Sequence, residues 1–348
     1  MGDLQPLAPR EAITLYLDAR RDDTTENTRE GQLYRLRAFA TWCEEEGIGN
    51  LNDLDGRDLY AYRIWRREGG YSDSDELAPS TLRGDLATLR AFLRFCGDID
   101  AVPTEFFDRV PLPSVSGHDV SESTLDPERA EVILDYLGEY EYASRTHVIV
   151  LLLWHTGCRM GALRALDVGD LDLDGDRPQA DGPGVHFVHR PDAGTPLKNK
   201  AKSQRWNSVS GYVARVLRAY IDDRRVPVLD EYGREPLIST ENGRIARSTI
   251  RGTLYRVTRP CWYGEECPHD EDPETCEFQR QARMSSCPSS RSPHDVRSGR
   301  LTYYRLHETD RTVVSDRMDA SNDILDKHYD RRSERRKAEQ RRSHLPDS

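Results

Sequence analysis

Apolar residues recur at helical spacing through most of the chain. Residues 9 to 20 open on Pro9 and set Ile13 and Leu17 on one face, and Leu33, Leu36, Ala40 and Cys43 mark a second face halted by Gly47 and Gly49. A third segment runs from Leu59 to Arg67 and stops at Gly69 and Gly70; a fourth opens at Pro79 and carries Leu82, Leu86, Leu89, Leu93 and Cys96. The first hundred residues therefore predict a small four-helix domain. From Ala101 to about Val120 the period lapses among Pro103, Pro111 and Pro113, which predicts a linker.

Beyond the linker, Asp126 and Pro127 cap a helix with Val132, Ile133 and Leu137 inside. Val148 to Trp154 is too short to cross a bilayer and reads as a buried helix. The alternating run Gly184 to His189, with Gly194 and then Arg205 to Val209, predicts two strands around a polar turn. Tyr212, Val216, Leu217 and Tyr220 resume helical spacing, and Ser248 to Val257 predicts another helix. The fold class is mainly α: an amino-terminal four-helix domain, then a mostly helical domain with a small antiparallel β-sheet.

Charge changes the picture. The formal net charge of −11 lacks the basic footprint that nucleic acid usually selects. The acid is spread along the whole chain, however, and lysine occurs only at 198, 200, 202, 327 and 337. That balance fits a surface adapted to high salt, a property of the solvent and not of a partner. Three of the five lysines fall in one five-residue stretch, which suggests a chemical need there. No run reaches the roughly 18 apolar residues of a membrane span, and the amino terminus lacks a signal-peptide layout, so a soluble cytoplasmic protein is expected.

Between residues 260 and 293 the character shifts again. Cys261, Cys267, Cys276 and Cys287, with His269, lie in a Pro- and acid-rich stretch without an apolar period. Such a segment cannot bury a core of its own. In a cytosolic setting a tetrahedral zinc held by the four thiols is favoured over disulfides, with His269 as the alternate ligand. Free thiols and a disulfide pair are the other readings. Cys43, Cys96 and Cys158 sit singly among apolar residues and read as core.

Two runs carry candidate chemistry. His294 and Arg297 stand one helical turn apart after Ser292 and Pro293, and an apolar helix ends at Thr156 and Gly157 just before Arg159. Between them lie the hairpin lysines Lys198 and Lys200, and after them comes Tyr329. In this order of arginine after Thr-Gly, hairpin lysine, His-x-x-Arg and late tyrosine, the chain resembles the tyrosine recombinases, or phage integrases, over roughly residues 8 to 330.

The resemblance implies a helical core-binding domain over 8–100 that clamps DNA, a linker over 101–121, a catalytic domain over 122–330 containing the Cys-rich insert, and a basic tail over 331–348 that docks on a neighbouring protomer or on DNA. It implies duplex DNA as partner, self-association into a tetrameric synapse on paired sites, and no cofactor for catalysis. Arg159 and Arg297 would charge-match two non-bridging phosphate oxygens, since the guanidinium fork fits phosphate and stays charged. Tyr329 would attack the phosphorus, Lys198 or Lys200 would protonate the leaving 5′ oxygen, and His294 would handle a proton or donate to the phosphate. The spacing leaves the two lysines unresolved, because a shift of two residues keeps both on one strand face.

Arg83, Arg90 and Arg94, at helical spacing, form either a phosphate-facing stripe or a solvated face. Two positions depart from the family pattern: Ala320 stands where a second histidine or a tryptophan is usual, and Ala162 where an acid usually follows the first arginine. A site-specific recombinase is the leading reading. A catalytically weakened DNA-binding regulator and a type IB-like topoisomerase are the rivals.

Overall fold

Prolines and acidic caps fix where the helices begin. In the computed structural model, which describes residues 4–72, 75–114, 123–176, 181–321 and 325, the chain divides into two compact units, Met1–Glu122 and Ser123–Ser348. The first is built on four helices, α1 (Pro9–Ala19), α2 (Glu26–Glu45), α3 (Gly56–Arg67) and α4 (Pro79–Asp98). Pro9 and Pro79 open α1 and α4, where a missing N–H costs nothing. Asp55 and Asp58 close a reciprocal capping box on α3.

The four apolar faces meet in an aromatic core. Tyr16, Phe39, Trp42, Tyr62 and Phe92 are all buried, with ring centroids 5.3 to 6.2 Å apart. Arg66 crosses this core to Asp85, its Nε at 2.9 Å and Nη2 at 2.8 Å from the carboxylate. The stretch read as linker begins by packing inward: Ala101, Val102, Phe106 and Val110 join the same core. That packing also claims the arginines of α4. Arg83 donates to the Pro113 carbonyl at 2.6 Å, Arg90 pairs with Asp108, and Arg94 lies over the Phe107 ring at 4.3 Å. These three arginines hold the 106–113 segment.

The second unit is layered around α6 (Arg145–Thr156), which is buried on nearly every face from His147 to Thr156. Around it stand α5 (Pro127–Tyr140), the short α7 (Met160–Ala165), α8 (Gly211–Ala219), α9 (Arg247–Val257) and α10 (Pro293–Leu306), followed by α11 (Arg311–Met318). Strands β1 (Leu171–Asp172), β2 (Gly184–Phe187) and β3 (Arg205–Ser208) form an antiparallel sheet in sequence order, with Val185 opposite Asn207 and Phe187 opposite Arg205. A second hairpin pairs β4 (Ser239–Thr240) with β5 (Gly243–Arg244). Beside it Asp167 and Asp230 gather Arg190, Arg234 and Arg244 into one ion-pair network. Each of those charges is partly or fully buried, so the network has the shared geometry that isolated surface pairs lack.

Two histidines of α6 are held neutral. Burial brings His147 down to about 4, and burial together with the charges of Arg317 and Arg300 brings His155 down to about 4. As acceptors, His147 Nδ1 receives the Ala143 N–H at 3.3 Å and His155 Nε2 the Ser210 N–H at 3.4 Å. A depressed histidine contributes stability that is complete above its unfolded pKa, near 6.5, and is lost as pH falls towards 4. The melting temperature should therefore drop between pH 6.5 and 4, and replacing both histidines by Gln should flatten that part of the profile in a thermal scan. A profile unchanged by the double replacement would assign the acid sensitivity elsewhere.

Candidate active site

The helix that supplies the first arginine stops because the chain turns left-handed at Gly157, φ 62°. A Cβ there would stand 2.7 Å from the Met318 side chain, so glycine is needed both for the turn and for the approach of residue 318. Two residues on, Arg159 takes the N-cap position of α7 in an extended conformation, its guanidinium released from the core and half-buried.

The second arginine is placed by α10. Ser292 caps its start and Asp295 closes the box, its carboxylate accepting the Ser292 N–H at 2.7 Å and its own N–H donating to Ser292 Oγ at 3.3 Å. One turn in, Arg297 is nearly sealed at 9% exposure. One nitrogen of its fork donates to the Gly157 carbonyl at 2.7 Å and to the Met318 carbonyl, and the other donates to the Asp319 carbonyl at 3.3 Å. Burial lowers its pKa to about 10, with the neighbouring Arg159 and Arg205 charges adding to the effect. It therefore stays charged at neutral pH, close to another guanidinium that points at the same short segment.

That segment is the turn after α11. Asp319 adopts φ 54° and its carboxylate accepts from Arg159, from Asn199 Nδ2 at 3.1 Å and from Ser203 Oγ at 2.7 Å. Arg205, at the start of β3, donates Nε to the Arg317 carbonyl at 3.0 Å and lies over the Phe187 ring at 4.4 Å. Its Nη2 is buried without a hydrogen-bond partner among the described residues. Burial lowers Arg205 too. Three guanidiniums thus converge on residues 317–319, a concentration of positive charge in a chain that is acidic overall.

Of the residues singled out in the sequence, Arg159 and Arg297 are brought together. Lys198 and Lys200 lie exposed on the loop joining β2 to β3, Lys200 at φ 56°, and that loop is the one tied to Asp319 through Asn199 and Ser203. His294 is exposed in the first turn of α10, one turn before Arg297. Tyr329 and the basic tail lie outside the described residues. Ala320, the departure from the usual histidine or tryptophan, is buried in an apolar cluster with Leu301, Tyr304, Val314, Met318 and Leu325. Tyr304 belongs to that cluster, and the partly buried Tyr303 packs against it. Arg205, Asn199, Ser203 and Asp319 were not singled out. Only the arginine that opens a strand offered a signal, and the Asp319 contacts span more than a hundred residues.

The Cys-rich insert is held chiefly by hydrogen bonds to α9 and its end. Arg259 donates to the Phe278 carbonyl at 2.7 Å, Ser290 Oγ to the Tyr255 carbonyl at 2.8 Å, and the Arg291 N–H to Thr258 Oγ1 at 2.8 Å. All four thiols are free, with Cys287 buried and Cys261, Cys267 and Cys276 half-buried. Burial raises the Cys261 thiol, the Arg259 charge opposes that rise, and the nearby Cys267, Cys287 and Cys276 add to it. Yet among the described residues no three His, Cys, Asp or Glu side chains stand at metal-holding geometry. His269 is turned to Ser289, 2.8 Å from its hydroxyl.

Among the described residues no helix is long and apolar enough to cross a membrane. No protein-family model matches the chain. In sequence it is 24% identical over 237 residues to the tyrosine recombinase XerC of Herpetosiphon aurantiacus, a match covering 67% of this chain and 69% of that protein. In structure it is similar to the Tn1549 transposon integrase in complex with a circular intermediate DNA, at a TM-score of 0.68 and 16% identity over 97% of this chain and 99% of the other. It is also similar to a lambda integrase dimer bound to a core site, at a TM-score of 0.60 and 12% identity over 95% of this chain and 79% of that one. The chain is thus similar in sequence to a tyrosine recombinase, and its fold is the one these integrases share.

Proposed function

We propose that the protein is a site-specific DNA recombinase, acting in the cytoplasm, that cuts and rejoins duplex DNA through a 3′-phosphotyrosyl intermediate. The observation that carries this reading is the convergence of Arg159 and Arg297, 138 positions apart in sequence (297 minus 159), on one three-residue segment. Two charged forks at one place can hold two non-bridging oxygens of a single phosphate, where negative charge grows in the pentavalent transition state. Preorganised donors of this kind need no rearrangement when the charge appears.

The step balances without a cofactor. Tyr329 passes its proton to His294, and its oxygen bonds to phosphorus while the bond to the 5′ oxygen breaks. The departing 5′ oxygen takes a proton from Lys198 or Lys200, both on the loop beside Arg159. The phosphodiester energy is kept in the phosphotyrosyl bond, so the reverse attack by a 5′ hydroxyl rejoins DNA. Relatives in this family are solved on DNA, one of them as a dimer on its core site; we take duplex DNA as the partner here, with protomers assembling on paired sites. The amino-terminal unit would serve as the DNA clamp.

A nicked suicide duplex tests the reading. The wild-type chain is expected to form a covalent protein–DNA adduct that Tyr329→Phe lacks entirely. DNA binding with no adduct would instead support the regulator, and supercoil relaxation without strand exchange the topoisomerase.

We also propose that the insert closes on one zinc ion through Cys261, Cys267, Cys276 and Cys287. Four thiols within 27 residues, in a segment with no apolar period of its own, support this as a donor set suited to zinc. Purified protein should contain about one equivalent of zinc; less than about half an equivalent would remove the proposal.

A further inference from the structure

We propose that Asp319 is a positioning residue, one that sets Arg159 and the lysine-bearing loop in a single arrangement for the reaction. The inference rests on the reading of Arg159 as a phosphate-binding residue. Its own support is a network of contacts between distant parts of the chain. The carboxylate accepts from Arg159 Nη1, from Asn199 Nδ2 at 3.1 and 3.3 Å and from Ser203 Oγ at 2.7 Å. The same residue gives its backbone carbonyl to Arg297 at 3.3 Å. One residue therefore touches both arginines and, through Asn199 and Ser203, the loop that carries Lys198 and Lys200.

Arg159 sits at the N-cap of α7, and the residue one turn on, Ala162, has no polar side-chain atom. Among the described residues Asp319 is the one carboxylate paired with Arg159. The carboxylate holds a single nitrogen of the guanidinium, which leaves Nε and Nη2 of the fork for a second anion. The backbone marks the position as well. Asp319 is left-handed at φ 54°, a conformation that favours glycine, and it turns the side chain back towards the loop. Lys198, Asn199, Lys200, Ala201 and Lys202 are all exposed, and the loop's own hydrogen bonds, Lys200 N–H to the Leu197 carbonyl at 3.1 Å and Asn199 N–H to Ser203 Oγ at 3.2 Å, are local to it. Gripping its two ends through Asn199 and Ser203 removes conformational freedom before DNA arrives, which is how a flexible lysine gains a fixed place beside a leaving oxygen.

Asp319→Gly and Asp319→Asn in the full chain test the proposal; the glycine variant suits the left-handed backbone and so cannot fail through strain. Amide hydrogen exchange over residues 197–204 should speed up about tenfold in both variants at an unchanged melting temperature. Single-turnover adduct formation on the suicide duplex should slow by about 10- to 100-fold while DNA affinity stays within about threefold. Unchanged exchange in the loop would overturn the proposal. So would faster cleavage with tighter DNA binding, which would mark the carboxylate as a block on the anion site, and so would parallel loss of melting temperature and affinity, which would mark it as scaffolding. If the wild-type chain forms no adduct, the recombinase reading fails, and the exchange measurement still decides whether Asp319 fixes the loop.

Discussion

An Arg297→Lys protein is expected to fold and to bind DNA, but to form the covalent adduct roughly 10²- to 10³-fold more slowly than wild type, the usual cost of removing one donor from a site that stabilises developing charge. The reason lies in the fork. Arg297 meets three carbonyls with two nitrogens, those of Gly157, Met318 and Asp319, and holds its plane while a phosphate approaches. A lysine ammonium cannot span those acceptors in one plane. It would also inherit the surroundings that take the arginine down to about 10, burial first and the Arg159 charge next. From a lysine's ordinary value near 10.4 the same surroundings bring titration towards neutrality. The variant should therefore lose its residual activity as pH rises through the range of about 7 to 9, where the wild type holds steady. Adduct formation followed against pH checks both parts, and a variant with wild-type rate would mean that Arg297 serves only to pack α10.

The second large effect is on stability. A Cβ added to Gly299 would lie 1.9 Å from the Leu125 carbonyl oxygen and 2.9 Å from its carbon. Those are backbone atoms, so no rotamer change relieves the clash. The segment before α5 is also hydrogen-bonded to α10, the Leu125 N–H donating to the Asp295 carbonyl at 3.0 Å. Gly299→Ala must therefore push α10 away from that segment, and we expect a loss of about 3 kcal/mol, the upper part of the range for overpacked cores. Because α10 presents both His294 and Arg297, adduct formation should fall with stability. Urea unfolding gives the first quantity. A change under about 0.5 kcal/mol would mean that the two backbones separate easily.

These two positions show what a sequence can and cannot reveal. The helices of the first unit were legible because proline openings and glycine stops bracket apolar positions at a 3.6-residue period, and α6 was legible as an apolar run of helical length. The strands of two residues, β1, β4 and β5, are too short to show alternation. The arginines of α4 carried the right spacing for a stripe, yet Asp108 and Phe107, brought back by the turn after the helix, take two of them. Arg159, Arg297 and the lysine loop stand out as motifs because their order along the chain is distinctive. Asp319 was not, since its meaning lies in partners 116 to 160 positions away and nothing in its own neighbourhood announces them. The thiols of the insert were visible as a cluster, whereas the hydrogen bonds from α9 that hold the same segment involve ordinary serines, threonines and arginines.

Leu325 sets a tether length for Tyr329, the nucleophile we propose. Fully buried against Leu301, Tyr304, Val314 and Met318, it moors the chain to its own protomer four residues before Tyr329. Four residues at full stretch reach roughly 14 Å. In the reaction proposed above, the backbone at Tyr329 therefore stays within that radius of Leu325, and the phenol serves a more distant subunit only once this leucine leaves its apolar berth.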